Sequence, residues 1–439
     1  MSIELITFLM FGGFFVLLAI GVPLAWVTLA LALGFALAIQ SPSSAFMFIT
    51  HRVWDLMSSF SLIAIPLFVF MANMLHYSNI ADDLYDAVYK WMGPLRGGLA
   101  IATVAVCTVL AAMVGTVGAG TTIMGLVALP AMLKRGYNKT IALGSIVAGG
   151  TLGIMIPPSV MFILYGVTSG ESIGKLFFGG VGPGLLLSGM YIAFIAIRSY
   201  LDPTVGPPLP KEERNLTFMQ KVSLSKTLIL PTVLIIGVLG SIYLGLATPG
   251  EAGGVGAMGA ILCTAVRGRL TFKNLKQALY GSLKTVGLIM WIGFGAYAMV
   301  GVYTLAGGAE FISKWIVGLP FGPWGILIVI QLILIVLGMV LDVVGIVFLC
   351  VPIFLPVVKA LGFDPLWFGI LFNVNLQIAF LSPPFGYAMF YLKGVSPPEI
   401  SMTDIYRCVW PFMGLQLLGL VLVMIFPQIA VWLPNNMIK

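Results

Sequence analysis

Charge is what this 439-residue sequence has least of: Asp, Glu, Lys and Arg make up 8% of it, against roughly 25% in ordinary soluble domains. That excludes a water-soluble globular fold. Histidine occurs twice and cysteine four times. Cys107, Cys263, Cys350 and Cys408 are scattered in or near apolar segments with no C-x-x-C pair, so neither a disulfide framework nor a zinc or other transition-metal site is indicated. They read as packing residues. H-E-x-x-H, the Walker loop and G-x-S-x-G are also missing, which leaves metalloprotease chemistry, ATP hydrolysis and serine hydrolysis without support. The N-terminus, MSIELITFLMFGG, has no basic stretch, and the apolar run it enters is longer than the roughly 7 to 15 residues of a signal-peptide core. No cleavage is expected there.

What the sequence has in abundance is apolar surface, with 60% hydrophobic residues and a mean hydropathy of +1.09. A spanning helix needs about 20 apolar residues, and roughly ten such stretches follow one another with shorter ones between them. The expectation is an all-α polytopic membrane protein. Its net charge of +7 sits in short loops rather than in one nucleic-acid-binding stripe. Residues 198–226 carry Arg198, Lys211, Arg214, Lys221 and Lys226 against Asp202, Glu212 and Glu213; residues 267–284 carry Arg267, Arg269, Lys273, Lys276 and Lys284 with no acid. Both loops are expected on the cytoplasmic side. The turn TPGEAGG divides the apolar stretch between them into two crossings, as two loops on one side require.

The most Pro-rich polar stretch, LDPTVGPPLPKEERN at 201–215, reads as a linker. It divides the chain into a first half, 1–200, a cytoplasmic linker, 201–226, and a second half, 227–439. A shift of 226 residues sets Pro130 on Pro356, Gly136 on Gly362, Pro157 and Pro158 on Pro383 and Pro384, and Tyr165 on Tyr391. Most of these are the residues that set backbone breaks, which marks an internal repeat. An odd number of crossings in each half would invert one against the other. Paired Gly/Pro-interrupted apolar segments at matching places in two halves point to the substrate site of a secondary transporter.

A proline donates no N–H, so Pro157 and Pro158 free the carbonyls of Gly153 and Ile154, and Pro383 and Pro384 free those of Ala379 and Phe380. Lipid offers such groups no partner, and the backbone is tolerated only where it is buried in protein or lines a cavity. Freed carbonyls and helix C-termini suit a small hard cation, while helix N-termini attract an anion. Gly149, Gly150 and Gly153 stand beside the first break; Asn373, Asn375 and Gln377 stand beside the second. Upstream of each lies an irregular element, AAMVGTVGAGTT at 111–122 and GMVLDVVG at 338–345. These read as tips of re-entrant hairpins, with Gly115 and Thr116 at one and Leu341 and Asp342 at the other. An ionisable group within a membrane segment is a functional candidate, and Asp342 has two open readings, a helix N-cap and an ion or substrate ligand.

The stretches LKRGYNKTIALGSIVAGGTLGIMIPPSVMFILYG, SIGKLFFGGVGPG, GMVLD and LSPPFG, with GVPLAW, IPLFVFMANML, PLRGGLA and VWPFMGL, together resemble the large membrane subunit of the tripartite ATP-independent periplasmic (TRAP) transporters, the DctM-like family, over essentially the whole chain. The resemblance implies a sodium-driven importer of an organic acid in a bacterial inner membrane. It implies two partners, a small DctQ-like membrane subunit and a DctP-like periplasmic substrate-binding protein, and Na+ as coupling ion with no other cofactor. The implied fold is an elevator-type ion-transporter fold of about ten to twelve transmembrane helices, with a two-fold inverted repeat. Hairpins near 100–131 and 324–357 and broken helices at 140–170 and 366–392 follow from it. Carried over by position, the sodium and substrate site would comprise Gly115 and Thr116, Leu341 and Asp342, the first break from Gly149, Gly150 and Thr151 through Gly153 and Ile154 to Pro157, Pro158 and Ser159, and the second from Asn375 and Gln377 through Ala379 and Ser382 to Pro383 and Pro384. Members often have Gly-Ser-Ser at the first tip; Val117 replaces the second hydroxyl here. Selectivity in such systems rests largely with the binding protein, and the motif wording is closer to carriers of oxo, hydroxy or aromatic acids than to sialic acid carriers.

Other motifs carry less. GVGAMG at 254–259 fits G-x-G-x-x-G, yet no strand precedes it, and close helix packing explains it. His51 and His76 lie among polar or interfacial residues. NIADDLYDAVYKW at 79–91, with Asp82, Asp83 and Asp86, reads as an amphipathic interfacial helix rather than a carboxylate metal site. The alternatives to a tripartite permease are a free-standing sodium/carboxylate symporter and an intramembrane enzyme using Asp342 and water.

Overall fold

A computed structural model describes residues 2–78, 80–209, 219 and 229–437; Asn79, the linker residues Lys211, Glu212, Glu213, Arg214, Lys221 and Lys226, and the side chain of Asp82 lie outside the described residues. The described secondary structure consists of twenty α-helices and two single-turn 3-10 segments. In the first half these are α1 Ile3–Ala19, α2 Leu24–Ile39, α3 Pro42–Met57, α4 Ala64–Tyr77, α5 Ile80–Met92, α6 Gly98–Val114, α7 Val117–Lys134, α8 Lys139–Thr151, α9 Val160–Ser169 and α10 Ile173–Leu201. The second half holds α11 Ile229–Tyr243, α12 Pro249–Val266, α13 Phe272–Leu305, α14 Gly308–Val317, α15 Pro323–Gly338, α16 Val343–Ala360, α17 Pro365–Leu381, α18 Tyr387–Val395 and α19 Met402–Ile425, and α20 Gln428–Asn435 closes the chain.

The shift of 226 residues carries through the helices without a gap. Both ends of α7 map onto the ends of α16, and the first residues of α1 and α8 map onto those of α11 and α17. The chemistry that sets these bounds is repeated as well. Gly136 and Gly362, with φ of +72° and +81°, end the second arm of each hairpin in the left-handed conformation that glycine adopts without strain. Two residues later Asn138 and Asp364 cap the next helix, each accepting an N–H at 2.8 Å. The halves differ where α3 and α4 of the first half are one continuous 34-residue helix, α13, in the second.

Contacts at the helix ends define two faces. On one, the Asn138 N–H donates to the Val205 carbonyl at 3.0 Å and the Gly97 N–H to Gly206 at 2.8 Å. Arg269 donates to the Ser78 carbonyl at 2.8 Å, Arg267 and Arg269 pair with Asp83, and Lys139 pairs with Asp404 at 3.3 Å. On the other, the Tyr165 hydroxyl donates to the Pro365 carbonyl at 2.9 Å and that of Tyr243 to Asn436 at 3.0 Å. The hairpin α6–α7 opens on the first face, whereas α16 runs out to the second, where α17 begins. The repeat is therefore inverted, and the face rich in Arg and Lys is the one expected on the cytoplasmic side.

Among the described residues, six helical segments are long and apolar enough to cross a bilayer by themselves. Among the shorter apolar helices, α6, α8, α9, α15 and α17 end or begin at the tips and breaks. α12 packs closely on α4 and α11: a Cβ on Gly256 would lie 2.7 Å from the Met71 sulfur and one on Gly259 would collide with Leu234, so these two glycines of GVGAMG serve contact between helices.

Candidate functional site

The first hairpin turns at Gly115, with φ of +62°, a left-handed C-cap that closes α6. Thr116 follows in extended conformation as N-cap of α7, but its side chain caps nothing, which leaves the first N–H groups of α7 uncapped by a side chain. This tip sits in the first break. A Cβ on Gly115 would lie 2.5 Å from the Pro158 carbonyl oxygen, and one on Gly153 would lie 2.6 Å from that of Thr116. Only glycine lets these two backbones approach so closely. Gly149 and Gly150 have a different role, admitting Cys107 of α6 and Thr121 of α7 against α8.

The break runs from the single turn Leu152–Ile154 to the start of α9, through a cis Pro157–Pro158 peptide that Pro383–Pro384 repeats. Proline chemistry alone leaves both Gly153 and Ile154 carbonyls free. The Ser159 hydroxyl, five residues on, donates to Ile154 at 2.7 Å; no side-chain hydroxyl reaches Gly153 among the described residues. At the second break the Ser382 hydroxyl donates to Ile378 at 2.8 Å, and its N–H donates to Ala379 at 3.2 Å. Phe380 there stands in the place of Ile154.

The second tip carries Leu341, buried, and Asp342, whose carboxylate accepts the Val344 N–H at 3.0 Å as N-cap of α16. The cap reading of Asp342 is thus realised, and Tyr387 and Tyr391 of α18 lie within electrostatic range of the carboxylate. The Tyr391 ring lies against Gly118, the second residue of α7, where a Cβ would come to 3.0 Å of it. Tyr391 therefore touches the helix of one tip and lies within electrostatic range of the acid of the other. Sequence comparison marks it only as the match of Tyr165, which is fully buried and bonded to Pro365.

The amides beside the second break bond inward. Asn375 Nδ2 donates to the Gln331 backbone and side-chain oxygens at 2.9 and 2.7 Å. The Thr151 hydroxyl lies 3.3 Å from Gln377 Oε1 and accepts from Gln416 Nε2 at 3.1 Å. Neither Gln331 nor Gln416 belongs to a motif; the signal that could have found them is a lone amide within an apolar run. His51 and His76 lie on α3 and α4, and no group of three His, Cys, Asp or Glu that could hold a metal occurs among the described residues.

The family profile of the tripartite ATP-independent periplasmic transporter DctM component matches residues 11–429. The chain belongs to the DctM family. It is 30% identical over 385 residues to the C4-dicarboxylate TRAP transporter large permease protein DctM of Pseudomonas aeruginosa, covering 88% of each chain. It is 33% identical over 380 residues to the ectoine/5-hydroxyectoine large permease protein of Ruegeria pomeroyi, covering 85% of this chain and 86% of that one. An isethionate permease of Oleidesulfovibrio alaskensis, named DctMQ, is 31% identical over 425 residues, 96% of this chain and 65% of that one. In fold it is similar to the YdaH transporter of Alcanivorax borkumensis, with a TM-score of 0.65, 12% identity and coverage of 94% and 97%.

This DctM-family chain is a multi-pass membrane permease subunit, not an enzyme. Its two tips and two breaks bring together both kinds of helix end. The helices α7, α9 and α18 begin there without side-chain caps, presenting N–H groups that suit an anion. The Thr116, Pro158 and Gly153 carbonyls lie where one backbone enters another, an all-oxygen set that suits a small cation.

Proposed function

We propose that this chain is the large permease subunit of a sodium-driven importer of an organic acid in a bacterial inner membrane, loaded by a periplasmic substrate-binding protein and completed by a small membrane subunit. The observation that carries this reading is the seating of the Gly115–Thr116 tip in the Gly153–Pro158 break. Na+ binds among the carbonyls of the first tip and break and, by the repeat, at Leu341, Asp342 and the second break. The substrate carboxylate lies between the tips, against the uncapped helix starts. Ion binding fixes the tips, so the anion site forms only when sodium is present. The body built on the two hairpins and two broken helices slides against the outer helices as an elevator. Thr151, Asn375 and Gln377 support this site by holding the broken helices in register.

The test is uptake into proteoliposomes holding this chain and its small subunit, with an imposed sodium gradient, with and without candidate binding proteins. Uptake is expected only with both gradient and binding protein. Uptake without a binding protein would make the chain a free-standing symporter, and uptake unaffected by sodium would overturn the coupling.

A further inference from the structure

A groove of about 430 Å³ runs between the outer helices α1 and α14 and the second hairpin, α15–α16, and ends at Leu341. Phe11, Phe14, Phe311, Trp315, Ile333 and Phe354 supply much of its wall. Thr7 also lines it, but its hydroxyl is occupied, donating to the Ile3 carbonyl at 2.8 Å and lying 2.9 Å from the Tyr303 hydroxyl. No charged side chain lines the groove. A cavity without polar partners does not hold ordered water; its contents must be apolar.

The repeat shows what is missing. In the first half α5 packs along α6 and buries Leu84 and Tyr85 at 2% and 3% exposure. The shift of 226 places Glu310 and Phe311 of α14 at those positions. Glu310 faces outward, paired with Lys314 at 2.7 Å with both side chains exposed. Where the first hairpin is sealed by its own interfacial helix, the second is left with an open furrow. Phe15 and Trp315, 42% and 63% exposed, carry the furrow onto the outer apolar surface, and Trp315 with Lys314 on a short amphipathic helix marks the level of lipid headgroups.

We propose that this groove is a phospholipid site: one acyl chain fills it as far as Leu341, with the headgroup level at Trp315 and Lys314. The argument needs only the membrane-spanning fold and is independent of the transported substrate. The lipid stands in for the missing apolar counterpart of Leu84, whose place Glu310 takes facing outward, and its inner end touches the second tip. A movement of the hairpin past α1 then shears or carries the chain.

The test uses the full chain with its small subunit. Native mass spectrometry of the purified complex counts retained phospholipids, for the native chain and for Leu337→Trp and Ile333→Trp, which fill the groove from partly exposed positions. Trp315 emission, taken as the difference between the native chain and Trp315→Phe, is also read in bilayers of phosphatidylcholine brominated on its acyl chains. The expected result is the loss of one retained phospholipid per chain in the filling variants, and Trp315 quenching that falls by at least half in Leu337→Trp. Equal lipid counts with unchanged quenching would overturn the proposal. So would a helix of the small subunit seated in the groove, seen as Trp315 protected from brominated lipid in the complex and quenched in its absence. If one filling variant fails to fold, the count of phospholipids retained by the other decides.

Discussion

Thr151 and Gln377 are 226 residues apart, the spacing of the repeat, and their side chains meet at 3.3 Å. A residue touches its own counterpart only where the axis relating the halves passes between them, so this contact places the axis at the point where both broken helices approach their breaks. The Thr151 hydroxyl shares its one hydrogen between the Ala148 carbonyl at 2.7 Å and Gln377 Oε1 at 3.3 Å and accepts from Gln416 at 3.1 Å. All three side chains are fully buried. Polar groups sealed in this way depend on one another, because no water is available to replace a lost partner.

Thr151→Val and Gln377→Leu should each cost about 1–3 kcal/mol, the penalty of stranding a buried partner. The double variant should cost less than the sum, with a coupling of at least about 0.5 kcal/mol. Reversible unfolding of the purified chain in mixed micelles measures all four corners of the cycle. Strict additivity would mean that the two residues do not interact.

Much of this was legible in the sequence, and for a physical reason. Gly115, Pro157 and Pro158 act on their own backbone, so their effect is local and their residue types announce it. The charge asymmetry of the loops is also local to each loop and sets the expected orientation. The pairing of Ser159 with Ile154 needed the path of the break, and that of Thr151 with Gln377 and Gln416 needed the fold of both halves. Tyr391 shows the limit most clearly. Its match, Tyr165, is the same residue type at the same repeat position, yet one is sealed in the core and the other lies 45% exposed at the tips. A symmetric pattern cannot say which copy faces the site.

Topology follows from the inversion. In a background without the four native cysteines, Asp202→Cys and Glu251→Cys place single thiols at opposite ends of the bundle. A membrane-impermeant thiol reagent added to intact cells should label Glu251→Cys and should reach Asp202→Cys only after the cells are opened. The reverse pattern would place the Arg- and Lys-rich face outside and invert the assignment of both hairpins.

Gly115 and Gly136 separate backbone strain from collision. Both have positive φ, +62° and +72°. A Cβ on Gly136 meets nothing within 4 Å, whereas one on Gly115 comes to 2.5 Å of the Pro158 carbonyl. Gly136→Ala should cost about 1 kcal/mol of stability and leave sodium-induced thermal stabilisation unchanged. Gly115→Ala should cost more, about 2–4 kcal/mol with the overpacking added, and should weaken that stabilisation because the tip no longer sits in the break. Equal behaviour of the two variants would show that the close approach has no part in ion binding.

Two readings of Asp342, helix cap and sodium ligand, can be separated by a single substitution. Asn caps a helix about as well as Asp, so Asp342→Asn retains the bond to the Val344 N–H and removes only the charge. Asp342→Ala removes both and should lose about 0.5–2 kcal/mol from the cap alone. If the carboxylate is part of a sodium site, Asp342→Asn should melt at the native temperature without sodium, yet need about tenfold more sodium for half-maximal stabilisation, a change of about 1.4 kcal/mol. Titration of the melting temperature against sodium, with choline holding ionic strength constant, reads this directly. An Asn variant with native sodium dependence would reduce Asp342 to a cap and leave the ion to the backbone carbonyls, since nothing but charge distinguishes the two side chains at that position.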